Sequence, residues 1–434
     1  MMISDVVLLG GGAAVASGAM WWWRSLGAAV KPSDPVRVAA SAPVQLRTAV
    51  FVLADDRQRA HMWIACGLGS LEHGFPPVED WVYTEHGLRV DLLMLAGQSS
   101  RDWSAEETRD ALAQILAVPE ITVSFPDPGV VRLDLRAFDT LAAVAPIPAS
   151  AAAVDLEAVP VGVTEDHELW RLRVLYGHIL LAGATGSGKG SVLWSILAAL
   201  GPVIRDGLVD VFMADPKGGA EFGKGEGRLF VEFATDTDTI LAMLRKAVTV
   251  LQDRLAHMRA TGSRKHVPTV EQPLILIIID EAAALSSYAE REEQQEFRRL
   301  TGLILSQGRA AAVSVVAALQ DPSKETMPNR QLFPVRIGLR LDEPTQTAMV
   351  HGHGARDRGA RCDEISEHTP GVGYVGEDGS TAFTRVRAFC VSDTAIDHIV
   401  ATFSPAREVD LAPQGDYCGF DPDDLGDEDG PVAA

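Results

Sequence analysis

Cysteine is scarce. Cys66, Cys362, Cys390 and Cys418 are the only four in 434 residues. They lie far apart, and no two have the spacing of a metal-binding pair. This excludes a disulfide scaffold and a zinc site, and it points to a reducing compartment. Positive charge is also in short supply. Thirty-eight Lys and Arg stand against 59 Asp and Glu, a net charge of −21. A broad basic surface for nucleic acid is thereby excluded. Residues 405–434 carry −8 of that charge, so any surface that meets a polyanion has to be small and enclosed.

What is present is enough apolar material for two or three domains. The chain is 47% hydrophobic and 22% charged, the composition of a globular protein and not of a disordered one. One stretch stands apart. Val6–Trp23 runs for 18 residues without a charge, near the lower length limit of a membrane-spanning helix. Trp21, Trp22 and Trp23 suit the water–lipid interface, and Arg24, Lys31 and Arg37 follow. The positive-inside rule then puts the rest of the chain in the cytoplasm, as a single-pass cell-membrane protein. No basic residue precedes the run, which argues against a secretory signal peptide. Its four glycines leave the other reading open: a soft helix packed on the protein itself.

Residues 32–46 are rich in Pro, Ala and Ser and read as a linker. Beyond it, "LRVDLLM" (Leu88–Met94) and "VVRLDLRAF" (Val130–Phe138) alternate as strands do. "SAEE" (Ser104–Glu107) is a capping box that opens a helix running to about Ala117. Nothing in this small α+β unit looks catalytic. "APIPASAAA" (Ala145–Ala153) reads as a second linker.

From about Val159 strands alternate with helices. "HILLAG" and "LILIIID" are continuously apolar, "VDVFMADPKGG" ends in a polar loop, and "AAVSVVAALQD" follows. Asp238–Arg259 reads as a long helix. Strands of this kind belong to a parallel sheet covered on both faces, where ligands bind at the carboxyl ends.

Polar motifs sit at those ends. Gly183-Ala184-Thr185-Gly186-Ser187-Gly188-Lys189 matches G-x-x-x-x-G-K between a strand and a helix. Its glycines let backbone N–H groups curl around phosphates, and Lys189 reaches the β- and γ-phosphates of a nucleotide such as ATP. Gly190 stands where a serine or threonine normally gives its hydroxyl to Mg2+. Either Ser191, one position later, supplies the oxygen, or water does. Asp280 and Glu281 end the most apolar strand, 91 residues past Lys189. The first would hold the metal through water and the second would polarise the attacking water. Their other reading is as the cap of the next helix. Gln320 ends the following strand and either senses the γ-phosphate or is a solvated loop residue. Arg309 is either an arginine finger for a neighbouring subunit or a surface charge.

Together these segments resemble the FtsK/SpoIIIE family. "VGVTEDHELWRLRVLYGHILLAGATGSGKGS", "VFMADPKGGAEF", "LILIIIDEAAAL", "GRAAAVSVVAALQDPS" and "FPVRIGLRL" occur in the family's order. The Asp-Pro-Lys at 215–217 is the most specific of them. The short chain, the single apolar N-terminal segment and the "GKGS" variant look most like the short FtsK-like transfer proteins of plasmids and integrative elements. The resemblance implies an α/β RecA-like P-loop NTPase with a mostly parallel sheet. A small α+β domain and one N-terminal apolar helix precede it. Five segments follow from this: 1–30 a membrane segment, 31–46 a linker, 47–150 an adaptor, 151–403 the ATPase motor, and 404–434 an acidic disordered tail.

It also implies a homo-hexameric ring that hydrolyses ATP with Mg2+ to move double-stranded DNA, here for conjugative transfer. Chromosome segregation at a septum, a type VII secretion-like ATPase and an inactive nucleotide-binding scaffold are the alternatives. In the DNA reading Lys217, Lys224 and Arg228, with Lys324 and Arg330, line the channel. Otherwise they are solvated loop charges. Nothing in these 434 residues reads as the multi-helix membrane region or the winged-helix DNA-reading domain of other members, so a division role and sequence-directed movement are not expected.

The membrane expectation has a direct test. After detergent-free lysis and ultracentrifugation the full-length chain should pellet with membranes, and a version starting near Ala39 should stay soluble. A full-length chain that remains in the supernatant removes the anchor.

Overall fold

The computed structural model describes residues 34–148, 153–323 and 326–405. The apolar stretch Val6–Trp23, Lys324 and the acidic tail from residue 406 lie outside the described residues. Among the described residues no helix is long and apolar enough to cross a membrane.

The first unit is helical before it is stranded. It opens with α1 (Pro35–Ser41), α2 (Arg47–Ala54) and α3 (Asp56–Ala65). The linker expected up to residue 46 is therefore not a linker from Asp34 onward. Asp34 Oδ1 accepts the Val36 N–H at 3.1 Å and caps α1, and Pro35 takes a first-turn position where a missing N–H costs nothing. Ala39, Ala42 and Leu46 are buried. A truncation meant to leave this domain whole has to begin before Asp34, not at Ala39.

An antiparallel sheet follows, made of β1 (Val78–Thr84), β2 (Gly87–Leu93), β3 (Glu120–Ser124) and β4 (Val130–Arg136), in the order β1-β2-β4-β3. Its alternation is literal: Val131, Leu133 and Leu135 are buried, while Arg132 reaches Asp91 with two bonds of 2.8 Å. Between β2 and β3 lie α4 (Ser100–Ser104) and α5 (Glu106–Leu116). The capping box does not form at Ser104, which ends α4. It forms at Ser99, whose N–H donates to Asp102 Oδ2 at 2.7 Å.

The second unit is built on one mixed sheet. In chain order its elements are β5 (Ala145–Pro146), β6 (Val159–Thr164), β7 (Leu169–Leu172), β8 (His178–Ala182), α6 (Lys189–Arg205), β9 (Val209–Ala214), β10 (Glu232–Ala234) and α7 (Thr237–Thr261). Then come β11 (Leu274–Ile279), α8 (Ala282–Ser286), α9 (Arg291–Gln307), β12 (Val313–Leu319), β13 (Val335–Leu339), α10 (Pro344–His351), β14 (Val372–Glu377), β15 (Phe383–Cys390) and α11 (Asp393–Phe403).

The strand order is β10-β9-β11-β12-β8-β13-β14-β15-β6-β7. Pairing is parallel from β10 to β13 and antiparallel from there to β7. Alternate residues of β11 go to opposite cores. Leu276 and Ile278 pack with Val192 and Ile196 of α6. Ile275, Ile277 and Ile279 pack with Leu244 of α7 and Leu300 of α9.

The boundary between the units falls earlier than residue 150. Leu141 packs into the second unit's core, and β5 pairs with β15. Arginines join the two. Arg356 reaches Glu106 at 2.5 Å, Arg361 reaches Asp110 at 2.8 Å, and Arg385 holds both oxygens of Asp139 at 2.7 and 3.0 Å.

Two buried histidines make this fold acid-sensitive. His178 begins β8, and its Nδ1 accepts the Val315 N–H at 3.2 Å. Burial pushes its pKa down to about 4 and that of His351 to about 3. Both are neutral in the fold. Below about pH 6.5 the unfolded chain takes up protons that the native state refuses, so stability falls as pH drops from 6.5 toward 4. Each histidine contributes up to about 1.4 kcal/mol per pH unit over that window. His178→Asn, which keeps an acceptor, should melt with a flatter pH dependence between 6.5 and 4.5. An unchanged slope would assign the acid sensitivity to other groups.

Candidate functional site

β9, β11, β12 and β8 lie side by side, and their carboxyl ends bring the polar motifs to one edge. β8 runs into the glycine loop. The loop needs left-handed backbone at Gly186 (φ 74°) and Gly188 (φ 98°), a region open to glycine at little cost. Gly188 also sits so close to the loop before β14 that a Cβ there would lie 2.3 Å from Gly371 N.

The glycine loop is pinned at several points. Gly183 N–H donates to Leu319 O at 3.1 Å, Ala184 N–H to Arg340 O at 2.8 Å, and Gly371 N–H to Ser187 O at 2.8 Å. Arg340 Nη2 donates to Thr185 O at 2.8 Å. α6 starts at Lys189, and the first-turn N–H groups of a helix have no partners within it. With the helix dipole they form an anion site.

Lys189 is buried, and its Nζ donates to Gly183 O at 2.7 Å and Ala184 O at 3.2 Å. Burial pulls its pKa below the usual lysine value, against the opposing pull of Glu281. Asp280, at the end of β11, is 1% exposed. Its Oδ2 takes the Lys217 ammonium at 2.8 Å, and its Oδ1 is buried without a partner. Glu281 Oε1 accepts the Gln320 N–H at 3.4 Å, and its Oε2 is likewise buried and unpartnered. Burial raises the Glu281 pKa. Thr185 Oγ1 donates to Gln320 Oε1 at 3.1 Å, so Gln320 bridges the glycine loop and Glu281. Gly190 and Ser191 line the same cleft, of about 350 Å³. A helix start with a lysine can cradle phosphates, and acids with unused buried lone pairs suit a divalent cation and a water.

Not every expected site residue lies here. Arg309 sits at the opposite, amino-terminal edge of the sheet, where its Nε donates to Tyr176 O at 3.0 Å. Lys217, expected on a DNA channel, is in this cleft, because the loop after β9 turns its ammonium onto Asp280. Lys224 pairs with Asp397 at 2.8 Å, Arg228 is exposed, and Arg330 Nη1 donates to Pro322 O at 2.8 Å. Two residues escaped the sequence reading. Glu221 lines the cleft, although it stands in the quoted "VFMADPKGGAEF". Arg340, just past the end of β13, likewise stands in the quoted "FPVRIGLRL".

A lysine-bearing glycine loop between a buried parallel strand and a helix, faced by two acids two strands away, defines a P-loop NTPase. Residues 150–272 match the FtsK/SpoIIIE family, and the chain carries a domain of that family. It is 25% identical over 242 residues to the DNA translocase FtsK of Staphylococcus epidermidis, covering 51% of this chain and 29% of that protein. It is 24% identical over 357 residues to the DNA translocase FtsK of Bacillus cereus, covering 76% and 42%. The chain thus spans less than half the length of these curated relatives.

Among solved structures, the conjugation coupling protein TcpA of pCW3, in its monomer form with ATPγS, superposes with a TM-score of 0.52. It is 19% identical, over 77% of this chain and 94% of that one. This likeness agrees with an α/β P-loop fold on a mixed sheet.

The position of Lys217 yields a test. As a partner of Asp280, it supports the nucleotide site. Lys217→Ala should therefore lower ATP hydrolysis roughly tenfold even without DNA. A loss confined to a DNA-stimulated rate would return Lys217 to the channel.

Proposed function

We propose that the chain is an ATP-driven translocase of double-stranded DNA that works in conjugative transfer. One observation carries the ATPase part: Lys189, Asp280 and Gln320, from three strand ends, line one cleft, with Glu281 held against Gln320 beside it. Lys189 neutralises phosphate charge, the free N–H groups of α6 hold the phosphates, and Glu281, lifted toward basicity by burial, orients and deprotonates the attacking water. Gln320, tied to both Thr185 and Glu281, registers whether the γ-phosphate is present. A magnesium ion bound with the nucleotide would supply further charge neutralisation, with Asp280 among the residues that would hold it.

DNA as the moved polymer rests on the named function of the curated relatives. Conjugative transfer rests on the fold shared with a conjugation coupling protein. A homo-hexamer, with Arg309 reaching a neighbour's site and Val6–Trp23 anchoring the ring to the cell membrane, completes the reading. With Lys217 in the nucleotide cleft, Lys224, Arg228, Lys324 and Arg330 remain as channel cations. Contacts from them go to the phosphate backbone and carry no sequence information.

Purified protein should hydrolyse ATP with magnesium, and Lys189→Ala or Glu281→Gln should each reduce turnover by roughly two orders of magnitude or more. A linear duplex of any sequence should stimulate the wild type, and the stimulation should fall steeply with salt. Lys224→Ala with Arg228→Ala should weaken that stimulation and leave nucleotide binding intact. Wild-type turnover no higher than that of Lys189→Ala would make the chain a scaffold. Stimulation by a secreted protein's signal peptide and not by DNA would make it a secretion ATPase.

A further inference from the structure

The glycine after the P-loop lysine removes a hydroxyl, and the structure shows what fills the space. A Cβ built on Gly190 would lie 1.6 Å from Glu221 Oε1 and 2.8 Å from its Cδ. The Glu221 carboxylate therefore rests against the first turn of α6, where a serine or threonine side chain would otherwise stand.

Its position follows from the loop after β9. Asp215 is fully buried, and its Oδ2 accepts the N–H groups of Glu221 at 3.3 Å and Phe222 at 3.2 Å. Phe222 is buried and stacks on Trp194 of α6, with ring centroids 5.3 Å apart. Asp215 thus closes the turn, and Phe222 clamps it to the helix that carries Lys189.

The electrostatics of the cleft call for a cation. Glu221, Asp280 and Glu281 face two ammonium groups, Lys189 and Lys217, and Lys217 is already committed to Asp280. Asp280 Oδ1 and Glu281 Oε2 have no partner. Burial and the neighbouring Asp280 raise the Glu221 pKa above the usual carboxylate value, against the pull of Lys217. Among the described residues no three His, Cys, Asp or Glu side chains are spaced to hold a metal unaided. A divalent ion therefore has to share its ligands with the nucleotide.

We propose that Glu221 replaces the missing hydroxyl as the side-chain ligand of the nucleotide's divalent ion, and that Gly190 is the residue that admits it. This rests on the nucleotide-binding reading above. It differs in sign from a hydroxyl. A carboxylate beside the phosphates repels metal-free nucleotide and attracts the metal complex, whereas a neutral hydroxyl does little to the former.

The test is equilibrium binding of a fluorescent, non-hydrolysable ATP analogue to the full-length chain, in EDTA and along a Mg2+ titration. In Glu221→Gln the Mg2+ concentration for half-maximal tightening should rise tenfold or more, and affinity in EDTA should rise several-fold. Gly190→Ala keeps the carboxylate but displaces it, and should raise the Mg2+ midpoint as well. The double variant Gly190→Thr/Glu221→Ala restores an ordinary hydroxyl and should bring the midpoint back toward wild type.

A Glu221→Gln midpoint equal to wild type, with unchanged affinity in EDTA, would overturn the proposal. Should the wild type bind no nucleotide with or without Mg2+, the nucleotide-binding reading itself fails, a result distinct from an unresponsive Glu221.

Discussion

A strand buried on both faces keeps its polar side chains at or near its ends. β11 is the extreme case: all six residues from Leu274 to Ile279 are buried, divided between two cores. Its chemistry is therefore displaced to the next two positions, Asp280 and Glu281. The same constraint acts on β8, β9 and β12, whose ends supply the glycine loop, Asp215 to Lys217, and Gln320. Parallel pairing points all these ends the same way, so one physical requirement builds the cleft.

Several groups in that cleft wait for a partner. Lys189 folds back on carbonyls of its own loop. Two carboxylate oxygens and the Ser187 hydroxyl are buried without hydrogen bonds to the protein, which is uncommon for buried polar atoms. A polyphosphate with its cation would satisfy both the positive and the negative members. The glycine loop also touches structure outside the parallel core. The segment ahead of β14 donates from Gly371 to Ser187, and ten residues earlier Arg361 grips Asp110 of the small α+β unit. The nucleotide loop and that unit are thereby held by one short stretch of chain.

Much of the fold was legible because its signals are local. The alternation in Val130–Phe138, the apolar run of β11 and the G-x-x-x-x-G-K loop each state their own conformation. The errors came where local composition and packing disagree. Ala39 and Ala42 look like linker residues, yet their small side chains fit against the core of the first unit. "SAEE" has the spacing of a capping box, but the chain had already turned at Ser99. The antiparallel extension from β14 to β7 carries a weaker local signal, because its strands are only partly buried and lack the continuous apolar run of β11.

By itself the sequence determined the parallel core, the loop that embraces phosphate and the acids opposite it, because hydrophobic period and glycine spacing act within a few residues. Only the tertiary structure decided which charges meet. Lys217 pairs with Asp280, Arg309 lies at the far edge of the sheet, and Glu221 occupies the space that Gly190 leaves open. Those outcomes depend on how a loop folds across its neighbours over distances of tens of residues. No local pattern encodes such a path, which is set by the burial of Asp215 and the stacking of Phe222 on Trp194.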